Sequence, residues 1–279
     1  MQSSQSTDEG PMSYQMNVFI EGLQVFVALA FLLYASWSDL KTREVSNMVW
    51  IFFAPIGLAL SLTWLFLFNF SMEMLYLFGI SAAITSALAV LLFYAGAYGG
   101  ADAKALICLS VTLPFYPSDL IQFGFAPYIF PLSVFSNGVI LAALSVVYVL
   151  ARNLIWRQRT KLRFFEGLEK EPKWRKLVTL LSGYKISLDK LEKSQFLYPL
   201  EDVQISETGN IERKLLVFPK DEEREGIAKR ILDAVKKGVK IDWVWTTPGL
   251  PMLIFITLGL VSALVIGDFV WIILSRLLV

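Results

Sequence analysis

Six apolar stretches constrain this chain more than anything else in it. They fall at residues 18–37, 48–68, 74–94, 102–114, 132–151 and 252–274. All but the fourth approach the roughly 20 residues that carry a helix across a hydrocarbon core. With 56% hydrophobic residues and a mean hydropathy of +0.57, the composition is far from that of a soluble domain. The expected fold is an α-helical polytopic membrane protein with six transmembrane helices. Residues 1–15 are polar and carry no Lys or Arg, so the basic region of a secretory signal is missing and the first apolar stretch reads as a retained span.

Charge orients these spans. The net charge of +1 hides an uneven distribution of the 25 Lys and Arg residues. Lys41, Arg43, Lys104 and Arg276 stand apart, and the other 21 lie between Arg152 and Lys240. With six spans, every basic residue except Arg276 falls on one side. By the positive-inside rule that side is cytoplasmic, and both termini lie outside. The expected organisation is a polar extracytoplasmic tail at 1–17, membrane helices 1–5 at 18–151, a basic cytoplasmic domain at 152–247 and a sixth helix within 248–279 of this multi-pass protein.

Within the cytoplasmic insertion, Arg152–Arg163 reads as an anchor to anionic lipid headgroups. Residues 196–203 and 211–218 read as short strands. Residues 221–237 read as an amphipathic helix presenting Ile227, Ile231, Leu232 and Val235 on one face. A small α+β domain accommodates these elements. It carries no Gly-rich phosphate loop and no metal-ligand cluster, so no chemistry is assigned to it. Nor does anything in the chain suggest nucleic acid as a partner.

Histidine is absent and Cys108 is the single cysteine. That excludes an imidazole base, an internal disulfide and most zinc sites. Cys108 reads as a small buried apolar side chain. The acids near apolar segments then carry the interest. A carboxylate at the centre of a span costs about 2.5–3.5 kcal/mol on insertion scales, so an intramembrane acid is a functional candidate. Asp39 and Asp102 stand at span ends on the same side, where they could meet at one depth. Glu73, Asp119 and Asp268 fall on or near the other side. Gly99-Gly100 directly precedes Asp102, and glycines permit close backbone approach and unusual dihedrals. Asp102 also opens a helix, whose free N–H groups favour an anion. Two adjacent carboxylates share one proton: the ionised member takes a proton from water while the protonated one polarises a carbonyl.

Asp39-Leu40-Lys41-Thr42-Arg43-Glu44-Val45-Ser46-Asn47 and Gly99-Gly100-Ala101-Asp102-Ala103-Lys104 resemble the two signature stretches of the type IV prepilin peptidase superfamily. The archaeal preflagellin/prepilin peptidases, GxGD-type membrane aspartic proteases, are the most similar branch. Thr246-Thr247-Pro248-Gly249-Leu250-Pro251, entering the last span, is also similar to archaeal members. Ala101 departs from the motif's second glycine; archaeal members commonly carry a small apolar residue there. The resemblance implies Asp39 and Asp102 as the catalytic pair, Gly99 and Gly100 as backbone spacers and Lys104 as a matching family lysine, which a positive-inside anchor also explains. It implies no cofactor, no metal and, without the bacterial cysteine-bearing loop, no methyltransfer. The substrate it implies is a preflagellin or prepilin with a basic leader before an apolar helix, cut at the cytoplasmic membrane face. Two other readings stand beside it: a membrane anchor that recruits a cytoplasmic partner, and a proton-coupled transporter.

Overall fold

The structure, a computed structural model, describes residues 11–117, 129–194, 196–205, 211–216, 224–248 and 251–277. The tail up to residue 10, Asp119 with most of the proline-bearing stretch 115–131, residues 217–223 and the Gly249-Leu250 pair lie outside them. The chain divides into two compact units, residues 1–142 with 251–279, and residues 143–250.

The first unit is helical. It holds α1 (Pro11–Thr42), α2 (Asn47–Phe68), α3 (Met72–Tyr94), α4 (Gly100–Thr112), the start of α5 (Phe130–Thr160), α9 (Met252–Val265) and α10 (Phe269–Leu277). Among the described residues, α1, α2, α3 and α5 are each long and apolar enough to cross a membrane. The pair α9 and α10 adds a fifth span if counted as one. The expected fourth span corresponds to α4, whose 13 residues extend only about 20 Å against a core of about 30 Å.

Short as it is, α4 sits at the centre of its unit, in contact with α1, α2, α3 and α9. Ala103, Ala105, Leu106, Cys108, Leu109, Ser110 and Thr112 are buried, so Cys108 is the small core side chain expected of it. Phe53, Leu32, Phe130, Leu253 and Leu260 complete this core. Apolar surroundings leave the last carbonyls of a helix without water, and side chains take its place. Ser61 Oγ donates to Thr112 O at 2.8 Å, and Ser81 Oγ donates to Pro114 O at 2.9 Å. Gln24 Nε2 in turn donates to Ser61 Oγ at 2.9 Å, while Trp64 Nε1 donates to the buried Glu21 Oε1 at 3.2 Å.

The last apolar stretch is not one continuous helix. It breaks between α9 and α10 with a 54° bend. Gly267 adopts φ 100°, which an L side chain rarely takes, and Asp268 Oδ1 accepts from Trp271 N at 3.0 Å to start α10. Asn137 of α5 satisfies the opened backbone. Its Nδ2 donates to Gly267 O at 2.8 Å and its Oδ1 accepts from Phe269 N at 2.9 Å. One turn along, α5 and α9 touch backbone to backbone. A Cβ on Gly259 would collide with Val134 O and Gly138 N, and one on Gly138 would meet Phe255 O at 2.9 Å.

The second unit contains the rest of α5, then α6 (Lys173–Ser182), β1 (Tyr184–Ser187), α7 (Leu188–Lys193), β2 (Leu197–Pro199), β3 (Glu201–Ile205), β4 (Ile211–Leu215), α8 (Arg224–Lys236) and β5 (Trp243–Pro248). An antiparallel sheet in the order β1-β5-β2 lies beside a β3-β4 hairpin. The expected strand at 196–203 is divided at Leu200, whose N–H turns to Trp245 O at 2.8 Å. Residues 246–248, read from sequence as the approach to the last span, instead end the central strand β5. Trp245, fully buried, anchors one core with Phe164, Phe165, Leu168, Leu200 and Leu215. Helix α8 packs Ile227, Ile231 and Ala234 on Tyr184, Ile186 and Val244 in a second core, where Ala234 takes the place expected for Leu232.

Lys185, on β1, is buried with its ammonium 4.8 Å from the Trp156 ring and 5.7 Å from the Trp245 ring. Burial pulls its pKa down to about 8, against the opposing pull of Glu201. Its unfolded value is higher, so between about pH 8 and pH 10 the unfolded chain binds more protons than the folded one. Stability of this unit therefore rises with pH through that window, and Lys185→Met flattens the rise; proteolysis of the intact protein in graded urea reads both. In the first unit, Gly259→Leu destabilises by about 3 kcal/mol through overpacking. Gly79→Ala, inside α3 where an added Cβ meets nothing within 4 Å, instead raises the thermal midpoint slightly, because alanine lacks glycine's helix penalty of about 0.5–1 kcal/mol.

Candidate active site

Asp39 lies in the last turn of α1, which runs five residues beyond the expected end of the first span. The helix stops because Arg43 takes a left-handed conformation, φ 59°, while its N–H still reaches Asp39 O at 2.9 Å. Two hydroxyls fix the turn that follows. Ser38 Oγ and Thr42 Oγ1 both donate to Glu44 O, at 2.8 and 3.0 Å. Ser46 then caps α2, its Oγ accepting from Met48 N at 3.3 Å. Asn47 is a residue type that also favours capping, yet here it is the first helical residue and Ser46 is the cap.

That position frees the Asn47 side chain for another partner. Lys104 Nζ donates to Asn47 Oδ1 at 2.6 Å, tying the N-terminal part of α4 to the first residue of α2. Lys104 thus links the two signature stretches, a contact that neither stretch reveals by itself.

Asp102 is the third residue of α4, and its Oδ2 accepts from Gly99 N at 3.0 Å. The carboxylate occupies one of the helix-opening N–H groups itself. The glycine pair serves a narrower purpose than its composition suggests. Gly99 has an ordinary extended backbone (φ −71°, ψ 161°), and the left-handed glycine of this loop is Gly96 at φ 71°. What distinguishes Gly99 is space: an added Cβ would stand 3.1 Å from Asp102 Oδ2. At Gly100 the nearest atom, Phe93 Cε2, is at 3.6 Å, an ordinary contact.

Helices α1 and α4 touch, and Asp39 and Asp102 come within direct electrostatic range of each other. Both side chains are half-buried. The Arg43 guanidinium acts on Asp39 in the same way, and the Tyr98 hydroxyl lies within range of Asp102. Tyr98 packs its ring 5.9 Å from that of Phe135. Of the expected site residues, the structure thus gathers Asp39, Asp102 and Gly99 at one place, with Lys104 bound beside them and Gly100 as the first residue of α4. It adds Arg43, Tyr98 and Asn47. Arg43 and Asn47 stand inside the first signature stretch and Tyr98 directly precedes the second, but only the fold shows what each faces. Among the described residues no three His, Cys, Asp or Glu side chains converge as a metal site requires.

Two carboxylates thus stand at the ends of two packed apolar helices, one of them held by a glycine N–H. Residues 26–147 match the model of the Type IV leader peptidase family, and residues 175–269 match that of the Archaeal Peptidase A24 C-terminus Type II. The chain belongs to the Type IV leader peptidase family. It is similar to the preflagellin peptidase of Methanococcus voltae, 29% identical over 249 residues that cover 87% of this chain and 94% of that one. It is also similar to the preflagellin peptidase of Methanococcus maripaludis, 25% identical over 245 residues, covering 85% and 92%. The prepilin peptidase EppA of Methanothermobacter thermautotrophicus is 34% identical over 169 residues, covering 53% of this chain and 40% of that protein.

The two glycines are separable by experiment. Gly99→Ala pushes the Asp102 carboxylate off its N–H bond and lowers peptidase turnover on the order of tenfold, as displacement of a positioned side chain in a site does. Gly100→Ala leaves turnover close to that of the native protein. Equal losses in the two purified variants would contradict this assignment.

Proposed function

We propose that the chain is an aspartic endopeptidase that removes the short basic leader from preflagellin or prepilin-like precursors, with Asp39 and Asp102 as its catalytic pair. The observation that carries this reading is their mutual proximity, although they come from two different helices and stand 63 positions apart in sequence. In the proposed reaction one carboxylate, ionised, takes a proton from a water molecule as its oxygen attacks the scissile carbonyl carbon. The other, protonated, donates to the carbonyl oxygen as negative charge develops there. Collapse of the tetrahedral intermediate breaks the C–N bond, and the proton removed from water passes to the departing amine. The Gly99 N–H bond to Asp102 supports the pair by fixing one carboxylate before substrate arrives.

We place this site at the cytoplasmic face. The support is charge: Lys41, Arg43, Lys104 and the basic residues of 152–247 share one side when the chain crosses six times, α4 included, with both termini outside. The names of the relatives support the substrate class, since two are preflagellin peptidases and one a prepilin peptidase.

Asp39→Asn and Asp102→Asn each lower leader removal from a purified precursor by at least about 100-fold, the usual contribution of a positioned acid or base. Both variants keep the native gel-filtration profile. Substantial cleavage by either removes that acid from the mechanism, and product masses from one preflagellin and one prepilin decide the substrate preference.

A further inference from the structure

Helix α6 is amphipathic, and it is turned the wrong way round for a soluble domain. Trp174, Leu177, Val178 and Leu181 recur at the i, i+3, i+4, i+7 spacing that makes one apolar stripe. An ordinary surface helix buries such a stripe. The same unit provides the comparison, because α8 sinks Ile227, Ile231 and Ala234 into the core and leaves its charges outside. In α6 the order is reversed. Trp174 is 55% and Leu177 57% exposed, whereas the fully buried position is Thr179, on another face.

The cationic side chains of α6 lean toward the protein. Lys176 Nζ donates to Glu169 O at 2.8 Å, and Arg175 pairs with Glu171 at 3.3 Å. The Arg175 guanidinium also lies 5.4 Å from the centre of the Trp174 ring. Lys173 is exposed at the helix start. A Trp-bearing apolar stripe with an exposed lysine at the helix start is the pattern of a helix lying in the headgroup region, its aromatic and aliphatic side chains pointing down and the Lys173 ammonium left for anionic lipid.

Where α6 is attached points the same way. Asn153, on α5, donates through Nδ2 to Leu180 O at 3.1 Å and Gly183 O at 2.8 Å, so it holds the last carbonyls of α6. Asn153 stands where α5 changes from an apolar to a basic helix. Leu154 and Ile155 beside it are 56% and 49% exposed, and Arg157 and Arg159 follow in its last turn. The end of α6 is therefore fixed to a membrane-spanning helix at its apolar-to-basic boundary, the depth of the headgroups.

We infer that α6 is an interfacial helix, seated by Trp174, Leu177 and Leu181 in the surface of the protein's own bilayer and favoured there by anionic lipid. This goes beyond the peptidase reading and does not depend on it.

Nitroxide accessibility in the full-length protein tests the inference. Leu177→Cys and Trp174→Cys are labelled separately, with Lys229→Cys on the exposed side of α8 as the aqueous reference. The buried Cys108 stays native, and the unsubstituted protein is carried through the same labelling. In vesicles of phosphatidylcholine and phosphatidylglycerol, the ratio of accessibility to oxygen over a polar nickel chelate is several-fold higher at 174 and 177 than at 229. A ratio at 177 equal to that at 229 overturns the proposal, because the stripe then faces water. Exclusion of both reagents at 174 and 177 also overturns it, because protein, from this chain or a second copy, then covers the stripe.

Discussion

A helix too short for its bilayer must have its backbone ends satisfied by something other than water. In α4 that requirement governs the surrounding unit. The carbonyls at its C-terminal end, Thr112 O and Pro114 O, are met by hydroxyls from α2 and α3, and Gln24 of α1 supports the first of these through Ser61. An unpaired carbonyl in such surroundings costs several kcal/mol, so the three hydroxyl and amide side chains set the depth and rotation of α4. Gly57 of α2 completes the fit, since a Cβ there would occupy the place of the Thr112 side chain. Fixing one end of α4 fixes the other, where Asp102 stands.

At that other end the turn after α1 and the opening of α4 are bound by a lysine. Lys104 on Asn47 joins the segment that carries Asp39 to the segment that carries Asp102 without touching either carboxylate. The lysine therefore has a positional reason to stand two residues after the aspartate. The second unit treats its charges similarly. Arg213 is held on the buried Glu201 at 2.8 Å, Arg230 on Asp202 at 2.8 Å, and Arg152 lies 3.5 Å from the centre of the Tyr184 ring. Several of the cations between Arg152 and Lys240 are thus held on partners within the domain and serve its packing, while the net basic excess of the segment is unchanged.

Much of this was legible from residue order. Long apolar runs announce themselves, and so do two acids at span ends, one of them beside a glycine pair. Other features were hidden for identifiable reasons. Glu21 and Gln24 are single polar residues in a strongly apolar helix, and hydropathy averages them away. The break before α10 is written in Gly267-Asp268, a helix stop followed by a cap, yet apolar residues on both sides conceal it. Asn47 and Ser46 are adjacent residues of the same capping preference, and only the Lys104 contact separates their roles. Strand β5 ends in Thr246-Thr247-Pro248, residues that from one direction complete a sheet and from the other approach a membrane helix. The stripe of α6 was present in the periodicity, but periodicity does not say which way a stripe faces.

The backbone contact of Gly138 with Gly259 makes one seam of the bundle independent of the loop it brackets. Helices α5 and α9 flank the whole of residues 161–251 in the chain, and they close on each other through two glycines and the Asn137 bonds, without help from what lies between. The closeness of this seam is therefore a property of the helices themselves and does not draw on the intervening polypeptide. Any side chain larger than hydrogen at either glycine would wedge the two backbones apart.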